Sequence, residues 1–205
     1  MWKILTKLLL KLGGWKVKYP IPDEAQRCVM IAAPHTTNWD ALWTRVAFEE
    51  LGIPVKIAIK DTWTKMPVLG YFIRAFGGLG IDRSPKKEGV PRKSQIEQMA
   101  EFFETHDRIA LVIAPEGSRA LKEEWKMGFY RVAKKAGVPI TFGYLDYAKK
   151  EAGVGGPVFL SEDIAQDMAP IMAFYSTITP KFPEKFSLDQ RYENPNNKIQ
   201  KSKSK

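Results

Sequence analysis

Cys28-Val29-Met30-Ile31-Ala32-Ala33-Pro34-His35-Thr36-Thr37-Asn38-Trp39-Asp40 reads as a buried strand running into the start of a helix. The first six residues are small or apolar throughout, as in a strand covered on both faces. Beyond Asp40, Ala41, Leu42, Val46, Ala47 and Leu51 recur at helical spacing. This places His35 where strand gives way to helix, the edge at which open α/β sheets bind ligands. Two readings of His35 and Asp40 are open. His35 is a satisfied structural histidine and Asp40 an ordinary first-turn acid, or His35 is a general base oriented by a carboxylate.

The rest of the chain repeats the alternation. Gly52-Ile53-Pro54 breaks the helix. Val55, Ile57 and Ile59 alternate with Lys56 and Ala58 as a second strand, which delivers Lys60 to its end. Pro67 to Phe76 is a short, very apolar helix, and Gly77 to Arg83 a third strand ending at Arg83. The basic loop Ser84 to Arg92 is expected to be exposed and mobile. Ile96, Met99, Ala100 and Phe103 predict a surface helix over Ser94 to Glu104.

Ile109 to Ala114 is the clearest buried strand and leads into Pro115-Glu116-Gly117-Ser118-Arg119. A helix over Phe129 to Ala136, a fifth strand over Ile140 to Tyr147, a hairpin tip at Lys149-Lys150 and a return strand to Phe159 follow. The last helix runs from Ser161 to about Tyr175, with Ser161 or Asp163 as its cap. The expected class is α/β, a central, mostly parallel sheet flanked by helices with a short N-terminal amphipathic helix. In a parallel sheet, His35/Asp40, Arg83 and Glu116/Arg119 would converge on one edge.

The chain has 205 residues, which suggests one domain with enough chain to bury a sizeable core. Its parts are expected to be an interfacial segment over 1–19, a main domain over 20–192 and a disordered basic tail over 193–205. The net charge of +9 predicts an anionic partner, whether lipid headgroup, nucleic acid, phosphorylated cofactor or acidic protein. The single cysteine, Cys28, excludes an internal disulfide framework and suits inert packing in a reducing compartment.

No run of about twenty apolar residues predicts a membrane span. In the N-terminal helix, Lys3, Lys7 and Lys11 form a basic stripe, and Trp2, Ile4, Leu5, Leu8, Leu9 and Leu12 cover most of the remainder. Such a helix can lie in the membrane interface plane, or dock on the domain with a solvated lysine face. Trp15, Lys16, Lys18 and Tyr19 extend the same character.

Familiar catalytic signatures are missing. There is no Gly-x-Ser-x-Gly elbow, no phosphate loop and no dinucleotide fingerprint. One cysteine and two histidines are too few for a Cys/His zinc site, so no metal is expected. His106, in the polar link Glu104-Thr105-His106-Asp107, is expected at a solvent-exposed turn. A base without a protein nucleophile implies that the substrate supplies one: His35 takes a proton from a substrate hydroxyl, and Asp40 holds the tautomer. Lys60, Arg83 and Arg119 offer charge suited to a phosphate on the same substrate, or are surface ion-pair partners.

These residues resemble a known family. His35-x4-Asp40 is similar to its His-x4-Asp motif, Gly78-Leu79-Gly80-Ile81-Asp82-Arg83 to its second block, and Pro115-Glu116-Gly117-Ser118-Arg119 to its Pro-Glu-Gly-[Thr/Ser]-Arg block. Lys126-Met127-Gly128 and Val138-Pro139-Ile140 are similar to elements that follow in the family's order. The family is the glycerolipid acyltransferases, typified by bacterial 1-acylglycerol-3-phosphate acyltransferase. Pro34 departs from the Asn or Ser common before the histidine, and Phe142 stands near the place of a second proline.

The resemblance implies acyl transfer from acyl-CoA or acyl-ACP, with no permanently bound cofactor, to a lysophosphatidic acid-type hydroxyl. It gives acceptor binding to Arg83, Glu116, Gly117, Ser118 and Arg119, and it implies a peripheral, monotopic place on the cytoplasmic face of the inner membrane. The partners would be a phospholipid surface, a lysophospholipid and the acyl donor, with no nucleic acid. Other acceptors remain open: another lysophospholipid, glycerol-3-phosphate or a lyso-aminolipid. A non-catalytic membrane-binding module and, less well supported by ligand set, a metal-dependent phosphoesterase are the alternatives from other classes.

Overall fold

The computed structural model describes residues 2–82 and 93–192. Along the chain come α1 (Trp2–Gly13), β1 (Lys16–Val17), β2 (Arg27–Ala32), α2 (Trp39–Glu50), β3 (Val55–Lys60), α3 (Asp61–Thr64), α4 (Leu69–Ala75) and β4 (Gly78–Ile81). Then follow α5 (Gln95–Thr105), β5 (Ile109–Ile113), α6 (Gly128–Ala136), β6 (Ile140–Asp146), β7 (Glu151–Val158) and α7 (Ile164–Tyr175). The strands form one seven-stranded sheet in the order β1-β7-β6-β2-β5-β3-β4. β2 to β6 are mutually parallel, β7 returns antiparallel to β6, and β1 lies parallel to β7 at the edge. The protein is thus an α/β fold with a mostly parallel sheet.

Alternation along the central strands sets the register. Val29 and Ile31 of β2, with Ile109 and Leu111 of β5, face a core closed by Phe129 and Val132 of α6 and Met168 of α7. Cys28 and Met30, with Ala110, face the other core, closed by Val46, Ala47 and Phe48 of α2 and Leu10 of α1. A one-residue slip would exchange the two sets, and each large side chain is worth roughly 1.5–3 kcal/mol when buried. β2 and β5 are neighbours, yet the helices that follow them cover opposite faces. The crevice between their carboxyl ends is therefore the switch point of the sheet. Residues 33–38 leave β2 there, and residues 114–127 leave β5 there.

Local signals explain the helix ends. Ser94 and Glu97 form a reciprocal capping box at α5. Asp163, rather than Ser161, caps α7 by accepting the amides of Ala165 (2.8 Å) and Gln166 (3.2 Å). Ser161 instead binds Asp167.

The N-terminus departs from expectation in two ways. Trp15 does not extend the amphipathic face of α1: it is only 4% exposed, 5.7 Å from Trp43 and edge-on to Tyr147 at 5.0 Å between ring centres. Lys16 and Val17 pair with Glu151 and Ala152 as β1, which supplies partners to the open edge of β7. Within α1, Leu10 makes the seat on the domain, whereas Leu9 is half-buried. A Cβ on Gly13 would overlap the Trp43 indole, so glycine is what lets α1 close on α2. Ile4, Leu5, Leu8 and Leu12 turn outward, beside exposed Lys7 and Lys11.

His106 also differs from a solvent-exposed turn residue. It is half-buried, its Nδ1 lies 3.0 Å from the Phe102 carbonyl, and its own carbonyl accepts from Arg27, so it ties off α5. Arg83, the loop 84–92, the tail 193–205 and the side chains of Trp2 and Lys3 lie outside the described residues. Among the described residues, no helix is long and apolar enough to cross a membrane.

Candidate active site

The loop from β2 folds back onto the first turn of α2. Asp40, 4% exposed, sits in that turn, where helix amides lack partners of their own. Its Oδ2 accepts the amides of Thr36 (2.8 Å) and Thr37 (2.9 Å) and lies 3.3 Å from His35 Nδ1. Its Oδ1 accepts the hydroxyl of Tyr147 at 2.7 Å. Every side of the carboxylate is engaged, and the imidazole presents Nδ1 to it. Nε2 is the ring nitrogen left for a substrate.

The loop after β5 supplies the opposite wall. Glu116 is 3% exposed, and its carboxylate accepts the His35 amide, with oxygens at 3.0 and 3.2 Å. Burial pushes its pKa up to about 7, against the opposing pull of the His35 amide. The next residue, Gly117, has φ +66, and a Cβ there would stand 2.8 Å from Lys126 Nζ. Only glycine satisfies both conditions, and the lysine is thereby laid along the loop. The Ser118 hydroxyl is buried without a partner. Arg119 is exposed and donates to Asn38 Oδ1, so Asn38 ties the two loops together and does not cap α2.

Beside His35 and Asp40 a cavity of about 170 Å³ opens between α2 and the sheet. Ala32, Val55, Ile57 and Val112 line it from the strands, and Ala41 and Arg45 from the helix. Arg45 is paired with Glu49 at 2.6 Å, and its Nε is buried without a partner. Cys28 is no nucleophile for this site: burial pushes its thiol up to about 12, and the thiolate is the reactive form. An imidazole fixed by a carboxylate beside a largely apolar cavity can take a proton from a hydroxyl bound next to it.

The structure thus brings together His35, Asp40, Glu116, Gly117, Ser118 and Arg119 at one sheet edge. Lys60 ends β3 at the same edge and is exposed. Three side chains at the site escaped the sequence reading of roles. Lys126 was visible only as part of Lys126-Met127-Gly128, Arg45 only as a helix residue, and Tyr147 as the last residue of a predicted strand. Tyr147 had a positional signal, since a parallel strand's carboxyl end lies at the ligand edge.

A family model described as acyltransferase matches residues 16–141. No curated protein matches the chain. Among solved structures, the chain is similar to the crystal structure of the 1-acyl-sn-glycerophosphate (LPA) acyltransferase, PlsC, from Thermotoga maritima. The identity is 16% and the TM-score 0.47, over 78% of this chain and 70% of that one. The span matched by the family model takes in His35, Asp40, Glu116 and Arg119 and more than half of the chain. This protein therefore belongs to the acyltransferase family.

Proposed function

We propose that the protein is a membrane-associated O-acyltransferase that moves a fatty acyl group from acyl-CoA or acyl-ACP to the hydroxyl of a lysophosphatidic acid-type acceptor in phospholipid synthesis. The His35–Asp40 contact at the mouth of the apolar cavity carries the reading. His35 Nε2 takes the proton of the acceptor hydroxyl as its oxygen bonds to the thioester carbonyl. The carbon–sulfur bond then breaks, its electron pair leaves on sulfur, and the imidazolium returns the proton to the thiolate. Asp40 orients the ring and offsets its positive charge meanwhile. The direct attack of the substrate needs no acyl-enzyme. Arg119, Lys126 and Lys60 are cations available to the acceptor phosphate, and the apolar cavity suits an acyl chain.

The test is an assay of the purified protein with both donor types against a panel of lyso-acceptors, read by mass spectrometry. Diacyl product from lysophosphatidic acid supports the proposal. Product only from another acceptor moves the acceptor assignment, and liposome binding without turnover of any thioester leaves the non-catalytic module in its place.

The proposal includes a peripheral, monotopic place on the cytoplasmic side of a membrane, and the outward apolar faces support attachment to a surface. Ile4 (73%), Leu8 (51%) and Leu12 (75%) are exposed on α1, as are Trp63 (57%), Val68 (72%), Tyr71 (64%) and Phe72 (53%) around α3 and α4. With a net charge of +9, an anionic bilayer is the fitting surface. Removing α1 altogether would uncover Trp43, so substitution is the cleaner test. Serine at positions 4, 5, 8 and 12 is expected to weaken binding to anionic liposomes at least about tenfold, with unchanged thermal unfolding. Unchanged sedimentation would remove the anchor.

A further inference from the structure

We infer that Tyr147 is a positioning residue for the catalytic pair, holding the far oxygen of Asp40 while Trp15, two residues beyond α1, holds Tyr147. The inference rests on the reading of His35 as general base and adds a residue that lies outside the motif blocks. Asp40 Oδ2 is taken by Thr36 N, Thr37 N and His35 Nδ1. The only hydrogen bond recorded at Oδ1, among the described residues, comes from Tyr147 at 2.7 Å. Without it, a carboxylate 4% exposed would leave one buried oxygen unpaired and be held through Oδ2 alone.

Tyr147 is itself held from three directions. Its amide donates to the Thr179 carbonyl at 2.8 Å, fixing the chain where β6 ends. Its ring meets the edge of Trp15 at 5.0 Å, and Lys150 Nζ stands 5.9 Å over the ring and 5.2 Å over Trp15. Burial and Asp40 both push the phenol upward from its usual range, so it remains a donor at any working pH. A group that cannot give up its proton to Asp40 can orient the carboxylate without competing for the proton that His35 carries.

The hydroxyl also withdraws charge from Asp40. Its loss concentrates charge on the carboxylate, which favours the imidazolium form of His35. The other ionisable groups near the pair are Glu116 at the His35 amide, Arg119 at Asn38, Arg45 with Glu49 on α2, and Lys150 over the aromatic rings. None of these changes when one hydroxyl is removed.

Tyr147→Phe keeps the ring and its contact with Trp15 and deletes only the donor. Its kcat for acyl transfer is expected to fall about tenfold or more, with KM for donor and acceptor within about twofold. The acid limb of its pH–rate profile is expected at higher pH than in the wild type. A readout independent of activity comes from histidine NMR: the chain has two histidines, and comparison with His35→Ala assigns them. The titration midpoint of His35 should rise in Tyr147→Phe, and that of His106 should stay. In the wild type, the Tyr147 hydroxyl proton should be protected from solvent exchange, a measurement that needs no variant. An unmoved His35 midpoint, or a freely exchanging hydroxyl, overturns the proposal. If wild type and His35→Ala are equally inactive on every acceptor, the base reading fails instead, and the NMR result still decides the contact.

Discussion

Replacing His35 with alanine is expected to lower kcat for acyl transfer about a thousandfold, within the 10²–10⁴-fold range that a positioned base supplies. The substrate carries its own nucleophile, so without the imidazole the hydroxyl must lose its proton to water. KM should change little, because cation and cavity contacts to donor and acceptor stay in place. The fold should survive as well. The His35 side chain is 28% exposed and, among the described residues, its polar contact is to Asp40, while Glu116 holds the backbone amide, which alanine retains. Mass-spectrometric rates with unchanged thermal unfolding would separate loss of chemistry from loss of structure. An alanine variant with full turnover would sink the mechanism.

How much of this was legible in the sequence depends on how local each feature is. β2 and β5 were legible because unbroken apolar runs bounded by polar residues have few other uses. His35, Asp40 and Glu116 were legible because strand ends in a parallel sheet share an edge, so three segments distant in sequence could be placed together. Tyr147 was not. Its bond to Asp40 spans 107 positions, and nothing near Tyr147 marks it apart from its place at the end of β6. Trp15 was misplaced for a related reason: a tryptophan beside lysines looks interfacial until Trp43 and Tyr147 are known to surround it. The same limit applies to Glu116. The resemblance places it with the acceptor-binding block, and only the fold shows its carboxylate turned inward to the His35 amide.

That inward turn has a thermodynamic consequence, testable with Glu116→Gln. Burial raises the Glu116 pKa from 4.5 to about 7 in the folded protein. Between those values the folded state keeps a proton that the unfolded chain has lost, so stability falls as pH rises through the window. The loss is complete above about pH 7 and amounts to roughly 3 kcal/mol at 1.36 kcal/mol per pH unit. Glutamine does not titrate, and its side-chain oxygen can still accept the His35 amide. Glu116→Gln should therefore match the wild type near pH 4 and exceed it near pH 8 by up to roughly 3 kcal/mol, or about 6–12 °C in Tm. Urea titrations at the two pH values give the comparison, and an equal pH dependence in both proteins would show that Glu116 does not titrate in this window. Glu116→Ala serves as the contrast. It leaves the His35 amide unpaired and opens a void, so it should lose about 1–3 kcal/mol at either pH. A carboxylate that weakens the fold at neutral pH thus stands where its oxygens hold the backbone of the base, and stability is commonly given up at such sites.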